Sequence, residues 1–279
     1  MTSKQGHFSD LTEVRGTSLT RTAADMLYSR YEYAASLSKG KKVLEIACGS
    51  GVGLGMVCAE AAQTIGGDIE LPLLKQAKRH YLGRVPLVCF DAQEIPFADH
   101  SIDMVLFFEA SYYLRDFEQA LNEIARVLKR PGMAVLVNAN PDNTAFVPSP
   151  HSVRYYSAGE LQSALESRHF KVKIEGAFKT DVPGPKKFVL SVLRRLAIKL
   201  DMIPKTLRGR ARIKKLFFRD FITTPAELFS GFAERVERVP WSSEEVDSHR
   251  IIYTTGLIGE NSSHPQSARI RAGGTRISL

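Results

Sequence analysis

Apolar and polar positions alternate in blocks along the first two thirds of the chain. Residues 41–47 (KKVLEIA) form a short apolar run that ends in glycines, the pattern of a buried strand. Residues 52–62 are apolar and Ala-rich and predict a helix packed closely on a sheet. Strands over 64–68, 86–91 and 102–109 follow, with a helix over 70–81. The clearest helix is 115–130, where Phe117, Leu121, Ile124 and Leu128 share one face and Pro131-Gly132 supplies a stop. A strand over 133–138, a helix over 157–168 with Leu161, Ala164 and Leu165 apolar, and an alternating strand over 170–179 complete the series. A helix over 20–37 precedes it. Strands separated by helices predict an α/β fold, a doubly wound, mostly parallel sheet with helices on both faces.

The rhythm breaks after residue 180. Residues 181–248 hold five prolines with helical stretches between them, and 250–257 (IIYTTGL after Arg250) reads as a strand again. The expected organisation is a helical N-terminal cap (1–40), an α/β core (41–180), a basic helical insertion (181–248), a last core strand (249–260) and a disordered tail (261–279) with few large apolar residues.

Composition sharpens this picture at one place. Hydrophobic content of 44% and charged content of 24% exclude a disordered or collagen-like chain. Three cysteines cannot build a disulfide framework, the start MTSKQGHFSD lacks a signal-peptide pattern, and no apolar stretch reaches ~18 residues, so a cytoplasmic protein is expected. The net charge of +8 is concentrated: residues 186–219 hold twelve Lys and Arg against Asp201, a local +11, which leaves −3 on the rest. Amphipathic helices are expected at 186–200 and 208–222. Their basic faces are compatible with simple solvation, with an anionic membrane surface or lipid-linked substrate, or with nucleic acid.

The candidate chemistry begins at the turn after residue 47. Glu45-Ile46-Ala47-Cys48-Gly49-Ser50-Gly51 places glycines where a backbone must turn tightly and approach a ligand. The dinucleotide fingerprint fails, because its third glycine would fall on Leu54 or Met56. The phosphate-loop pattern fails for want of Gly-Lys-Ser/Thr. A carboxylate at the strand end repels a pyrophosphate and attracts an ammonium group.

Residues 43–51 (VLEIACGSG) resemble the first motif of class I, Rossmann-like S-adenosylmethionine-dependent methyltransferases. Gly66-Gly67-Asp68-Ile69 is similar to that family's second-strand acid. Residues 91–97 (DAQEIPF) with Ser101-Ile102-Asp103, and 126–133 (RVLKRPGM), resemble its later signatures, in order and over about residues 25–180. Ala47 stands where the family more often has glycine. The resemblance implies a Rossmann-like, doubly wound sheet whose last strand is antiparallel, with the basic insertion 181–248 as a lid over the pocket. It implies S-adenosyl-L-methionine as cofactor and assigns roles residue by residue. The backbone of Ala47, Cys48, Gly49 and Gly51 would border the methionine part, and Glu45 would support that loop or face the ammonium. Asp68 would take the ribose hydroxyls, Ile69 the adenine face, Asp91 and the Ala92 N–H the adenine edge, and Phe107 the methionine part. Tyr28 and Arg30 would close over the cofactor. Cys48 reads as a small filler, with no histidine near it in sequence to activate a thiol.

On the acceptor side, methyl transfer needs a nucleophile lined up behind the methyl group, and a hydroxyl acceptor benefits from a base. Glu109 and His151 are the candidate catalytic residues, and Tyr112, Tyr113 and Tyr155 the candidate substrate contacts; no metal site is assigned. The amino-methylating N/D-P-P-Y/F/W motif is absent after the fourth core strand, which reads Phe108-Glu109-Ala110-Ser111. That argues against adenine-N6 or cytosine-N4 methylation. Residues 107–114 (FFEASYYL) with Asn140-Pro141-Asp142 and Ser149-Pro150-His151-Ser152 are similar to methyltransferases of polysaccharide and glycolipid pathways, a resemblance that implies O-methylation of a small molecule, sugar or lipid-linked intermediate. Two alternatives stand beside it: an RNA methyltransferase that uses the basic insertion, and a non-catalytic module that docks a membrane or protein.

Overall fold

The computed structural model describes residues 13–149, 151–180 and 221–259. Its centre is an eight-stranded sheet built from β2 (Lys42–Ile46), β3 (Gln63–Asp68), β4 (Leu87–Cys89), β5 (Ile102–Phe108), β6 (Leu128–Ala139), β7 (Phe170–Lys179), β9 (Val239–Pro240) and β10 (His249–Ile258). The strand order is β4-β3-β2-β5-β6-β10-β7-β9. The five strands from β4 to β6 are parallel, and β10 runs antiparallel between β6 and β7. A separate two-stranded ribbon pairs β1 (Ser18–Thr20) with β8 (Phe221–Thr223).

The helices cover both faces, because successive side chains of the inner strands point to opposite sides. Leu44, Ile46, Val105 and Phe107 face a core completed by α4 (Phe117–Val127) and α5 (Ala158–Glu166). Val43, Met104, Leu106 and Phe108 face the other core, against Leu27, Tyr31 and Ala34 of α1 (Arg21–Leu37). α2 (Leu54–Glu60) and α3 (Leu71–Tyr81) meet in a smaller cluster around Leu54, Leu74 and Ala77. The helix starts are chemically marked: Thr20 and Asp116 cap α1 and α4 with their side chains, and Ser157 and Glu160 form a capping box on α5.

Three expectations are corrected. The helix expected over 115–130 ends at Val127, and Leu128 already pairs with Ile102 at the start of β6. The buried side chain of Leu128 fits both a helix face and a strand face, so periodicity alone overran the boundary. The insertion expected to be helical over 181–248 contains no helix within 221–248. Residues 221–222, given to a helix over 208–222, belong to the strand β8, and 239–240 extend the sheet edge. The N-terminal segment is not wholly helical, since β1 precedes α1, and α1 packs into the core. The basic cluster at 186–219 and the tail from 261 lie outside the described residues.

Candidate active site

The strand order reverses between β2 and β5. In an open parallel sheet this is where a crevice forms beyond the carboxyl ends of the strands. Ile46 and Phe107 are paired there, so the turns that begin at Ala47 and Glu109 lie near each other at the sheet's carboxyl edge. A cavity of about 1140 Å³ opens at this point. Ala47, Cys48, Asp68, Ile69, Asp91, Ala92 and Phe107 line it, together with Arg30, Glu109, Tyr112, Tyr113, His151 and Tyr155. Glu45, Gly49, Gly51 and Tyr28 do not line it.

The turn after β2 is held open by left-handed backbone. Ala47, Gly49 and Gly51 have φ of 58°, 58° and 74°. Alanine carries a cost of about 1–2 kcal/mol there, which glycine escapes. Its position is fixed from below and from the side. Cys48 N–H donates to Gly67 O, and Gly49 N–H donates to Asp68 Oδ2 at 2.7 Å. The Tyr81 hydroxyl donates to Gly51 O at 2.6 Å and accepts from Gly55 N–H at 2.9 Å. A Cβ on Gly51 would sit 3.0–3.2 Å from Leu54, Tyr81 and Ala77. Tyr81 was not found from sequence, because nothing in the glycine motif points to the last residue of a helix 30 positions away.

Asp68 and Asp91 stand on the same wall. Asp68 is buried, and burial raises its carboxyl above the ordinary value although Glu70 and Gly49 N–H groups donate to it. Each of its oxygens keeps a second lone pair for an incoming donor. Asp91 Oδ1 accepts from Gln93 N–H at 2.9 Å, which orders the loop after β4. Ile69 is 54% exposed between them, an apolar surface that no packing in the described residues covers. Cys48 is buried, and burial pushes its thiol well up, away from reactivity.

Glu45 sits beneath the loop. Its Oε1 accepts from the Tyr31 hydroxyl at 2.5 Å, Oε2 has no partner, and burial pushes the carboxyl up to about 7. Tyr31 also fills the space beside Gly53, where a Cβ would come within 2.0 Å of its ring.

The opposite wall carries a second acid, Glu109, partly buried with its Oε1 out of solvent. Glu109 has φ 49°, and its N–H donates to Val137 O. Oε2 accepts from the Tyr112 hydroxyl at 2.8 Å, and Oε1 has no partner. Burial pushes Glu109 up to about 7, against the pull of the Arg30 guanidinium. Tyr112 stacks on Tyr155 with centroids 4.4 Å apart, and Tyr155 meets Phe146 edge-on at 4.6 Å. The Tyr155 hydroxyl accepts from Ser149 N–H, fixing the loop after β6. His151 is exposed on the cavity wall. Arg30 pairs with Glu13, and both line the cavity, whereas the Tyr28 hydroxyl accepts from Gly231 N–H elsewhere. Asn140, another polar residue of this region, spends its Nδ2 on Val246 O and His249 O. Among the described residues no His, Cys, Asp and Glu group has the arrangement to hold a metal ion.

Residues 44–136 match the family model described as a methyltransferase domain. A Mycolicibacterium smegmatis protein described as a probable S-adenosylmethionine-dependent methyltransferase is 32% identical over 149 residues, 51% of this chain and 57% of that protein. The phthiotriol/phenolphthiotriol dimycocerosates methyltransferase of Mycobacterium tuberculosis is 36% identical over 120 residues, 42% of this chain and 44% of that protein. The chain thus spans about half the length of the curated relatives it matches. A solved S-adenosylmethionine-dependent methyltransferase from Archaeoglobus fulgidus superposes with a TM-score of 0.52 at 17% identity, covering 85% of this chain and 94% of that one. The cyclase SpnF superposes with a TM-score of 0.57 at 17% identity, covering 88% and 85%. At these identities the likeness is one of fold.

Proposed function

We propose that the chain, whose residues 44–136 match a methyltransferase domain and whose sheet is that of the class I, Rossmann-like S-adenosyl-L-methionine-dependent enzymes, transfers a methyl group to a hydroxyl of a small, sugar or lipid-linked acceptor. One observation carries the reading. One cavity has Ala47 and Cys48 of the glycine turn, Asp68 and Asp91 on one wall and, on the other, Glu109, a partly buried acid whose Oε1 has no partner. Its volume of about 1140 Å³ exceeds the few hundred to ~1,000 Å³ of a typical small-molecule pocket, which leaves room for two ligands.

In this reading Asp68 receives the ribose hydroxyls, Asp91 and the Ala92 N–H receive the adenine edge, and Ile69 covers the adenine face. The backbone of Ala47, Cys48 and Phe107 borders the methionine part. Glu45 does not line the cavity; it lies beneath the loop and accepts from the Tyr31 hydroxyl. The bound cofactor supplies an activated methyl on a sulfonium, so the chain's task is positioning. Glu109 accepts the acceptor's proton, the Tyr112 hydroxyl orients Glu109, and Tyr113, Tyr155 and His151 line the acceptor's path. The lipid methyltransferase among the relatives favours an acceptor with a long apolar part. Met26, Leu27, Phe146, Val147 and Val153, which also line the cavity, suit such a body.

The test is transfer of a radiolabelled methyl from S-adenosylmethionine to a panel of phenols, glycosides and long-chain diols. Product with a labelled methoxy group on a diol or phenol is expected. Label found only on amine-containing or RNA acceptors would overturn the hydroxyl assignment.

A further inference from the structure

The stretch between β8 and β9 forms no helix or strand, yet it is tied down along its length. Thr224 N–H donates to Thr17 O and Leu228 N–H to Val52 O, each at 2.8 Å. Further along, Gly231 N–H donates to the Tyr28 hydroxyl, Glu234 N–H to Asp25 Oδ1 and Val236 N–H to Ser29 Oγ, each at 3.0 Å. Residues 224–236 are therefore a strap that runs from the turn after β2 to α1. Both of its supports also line the cavity, the turn with Val52 and α1 with Met26, Leu27, Arg30 and Tyr31. Leu228 is buried in one apolar cluster with Val52, Leu27 and Tyr31.

A charged contact fastens the strap where it meets the turn. Glu227 precedes Leu228, and its Oε2 lies 2.6 Å from His80 Nε2. Arg84 donates from Nη1 to Oε1 at 3.0 Å and from Nη2 to Oε2 at 2.5 Å, so the guanidinium fork grips both oxygens. Burial raises the Glu227 carboxyl, but Arg84 and His80 outweigh it and hold the group below its ordinary value. Tyr81, the neighbour of His80, is the side chain that donates to Gly51 O. The end of α3 and the residues just after it thus hold both the turn and the strap that lies against it. The Glu227 carboxylate also fills the space beside Gly55 of α2, where a Cβ would meet Oε1 at 1.7 Å.

We propose that Glu227 is a positioning residue for S-adenosylmethionine: it fastens the strap to the turn through Leu228 and Val52, and so sets cofactor affinity without lining the cavity itself. The proposal rests on the reading of that turn as the cofactor site. A strap without regular structure is held closed only by its contacts with its neighbours. By linkage, whatever the closed strap adds to cofactor affinity, the bound cofactor adds to closure of the strap. A purely structural role for Glu227 does not predict this reciprocity.

The experiment is titration calorimetry of S-adenosylhomocysteine into the full chain, run below the unfolding range of every variant and paired with amide hydrogen exchange. Glu227→Gln should weaken binding about threefold or more, the scale on which residues coupled to a site modulate it. Arg84→Gln should do the same; Arg84 is 51% exposed, so this variant keeps the test decisive if Glu227→Gln does not fold. Arg84→Lys should recover most of the loss. Gly55→Ala should also weaken binding by displacing the carboxylate, although alanine is the better helix former. In a Glu227→Ala background, Gly55→Ala should cost nothing further. In the wild type the ligand should slow exchange of the Leu228 and Gly231 amides, and Glu227→Gln should lose that slowing. Wild-type affinity in a folded Glu227→Gln or Arg84→Gln, or wild-type strap amides that exchange alike with and without the ligand, would overturn the proposal. Failure of the cofactor reading shows separately, as no binding of S-adenosylhomocysteine by the unaltered protein.

Discussion

Two glutamates with a buried carboxyl oxygen, Glu45 and Glu109, decide most of what this site does at the scale of single residues. Each is pushed up to about 7 by burial and each keeps one oxygen without a partner. Proton transfer by a positioned carboxylate contributes about 10²–10⁴-fold. Glu109→Gln, which can still accept from Tyr112, should therefore lose activity on that scale while retaining S-adenosylhomocysteine affinity. The wild-type kcat/KM should rise with pH and level off above about 7, since the proposed base works ionised; an activity flat from pH 5 to 9 would remove Glu109 from the role. Glu45 has a different signature. Its folded-state pKa lies above the ordinary carboxylate value, so the folded state binds the proton more tightly than the unfolded one. Its contribution to stability is present below pH ~4.5 and is lost as pH rises through about 7, on the order of 3 kcal/mol. Glu45→Gln should flatten that loss, measured as unfolding free energy between pH 5 and pH 8. A decline as steep as the wild type's would contradict it.

The element that matters most is the turn between β2 and α2. Its glycines and the acids at the ends of β2 and β3 were legible in the sequence, because left-handed backbone and strand-end carboxylates leave a spaced, local signature. Its supports were not. Tyr81 on α3 and Tyr31 on α1 reach the turn through tertiary contacts. In sequence they read as ordinary aromatic helix positions. The strand β8 was missed for a related reason: Phe221 and Ile222 continue an apolar helical pattern, and only pairing with Ser18–Thr20 makes them a strand. Tyr81→Phe tests the supports directly. It removes the donor to Gly51 O and the acceptor for Gly55 N–H, both buried, and should cost about 1–3 kcal/mol in unfolding free energy. It should also weaken S-adenosylhomocysteine binding, because the loop loses its anchor. Unchanged stability and affinity would show that the loop holds itself.

At the scale of the molecule, the alternation of strands and helices predicted the doubly wound sheet, and the antiparallel β10 between β6 and β7 completes it. The fold by itself does not fix the reaction, as a likeness to both a methyltransferase and a cyclase makes plain. The function rests on which side chains meet in the cavity. No helix among the described residues is long and apolar enough to cross a membrane. The +11 of residues 186–219 lies outside the described residues, and its proposed role as a contact for an anionic membrane or lipid-linked substrate has its own test. Co-sedimentation with anionic vesicles should drop when Arg194, Arg195, Lys214 and Lys215 are changed to Glu; equal pelleting of both proteins would leave only a solvated basic face. The central claim is tested most directly by titration calorimetry of S-adenosylhomocysteine into the protein and into Asp91→Ala, a variant whose lost hydrogen bonds are confined to Gln93. One-to-one binding by the wild type, weakened about tenfold or more in Asp91→Ala, is expected from the loss of a hydrogen bond to a charged group. No heat with the wild type, or equal affinity in both, would contradict it.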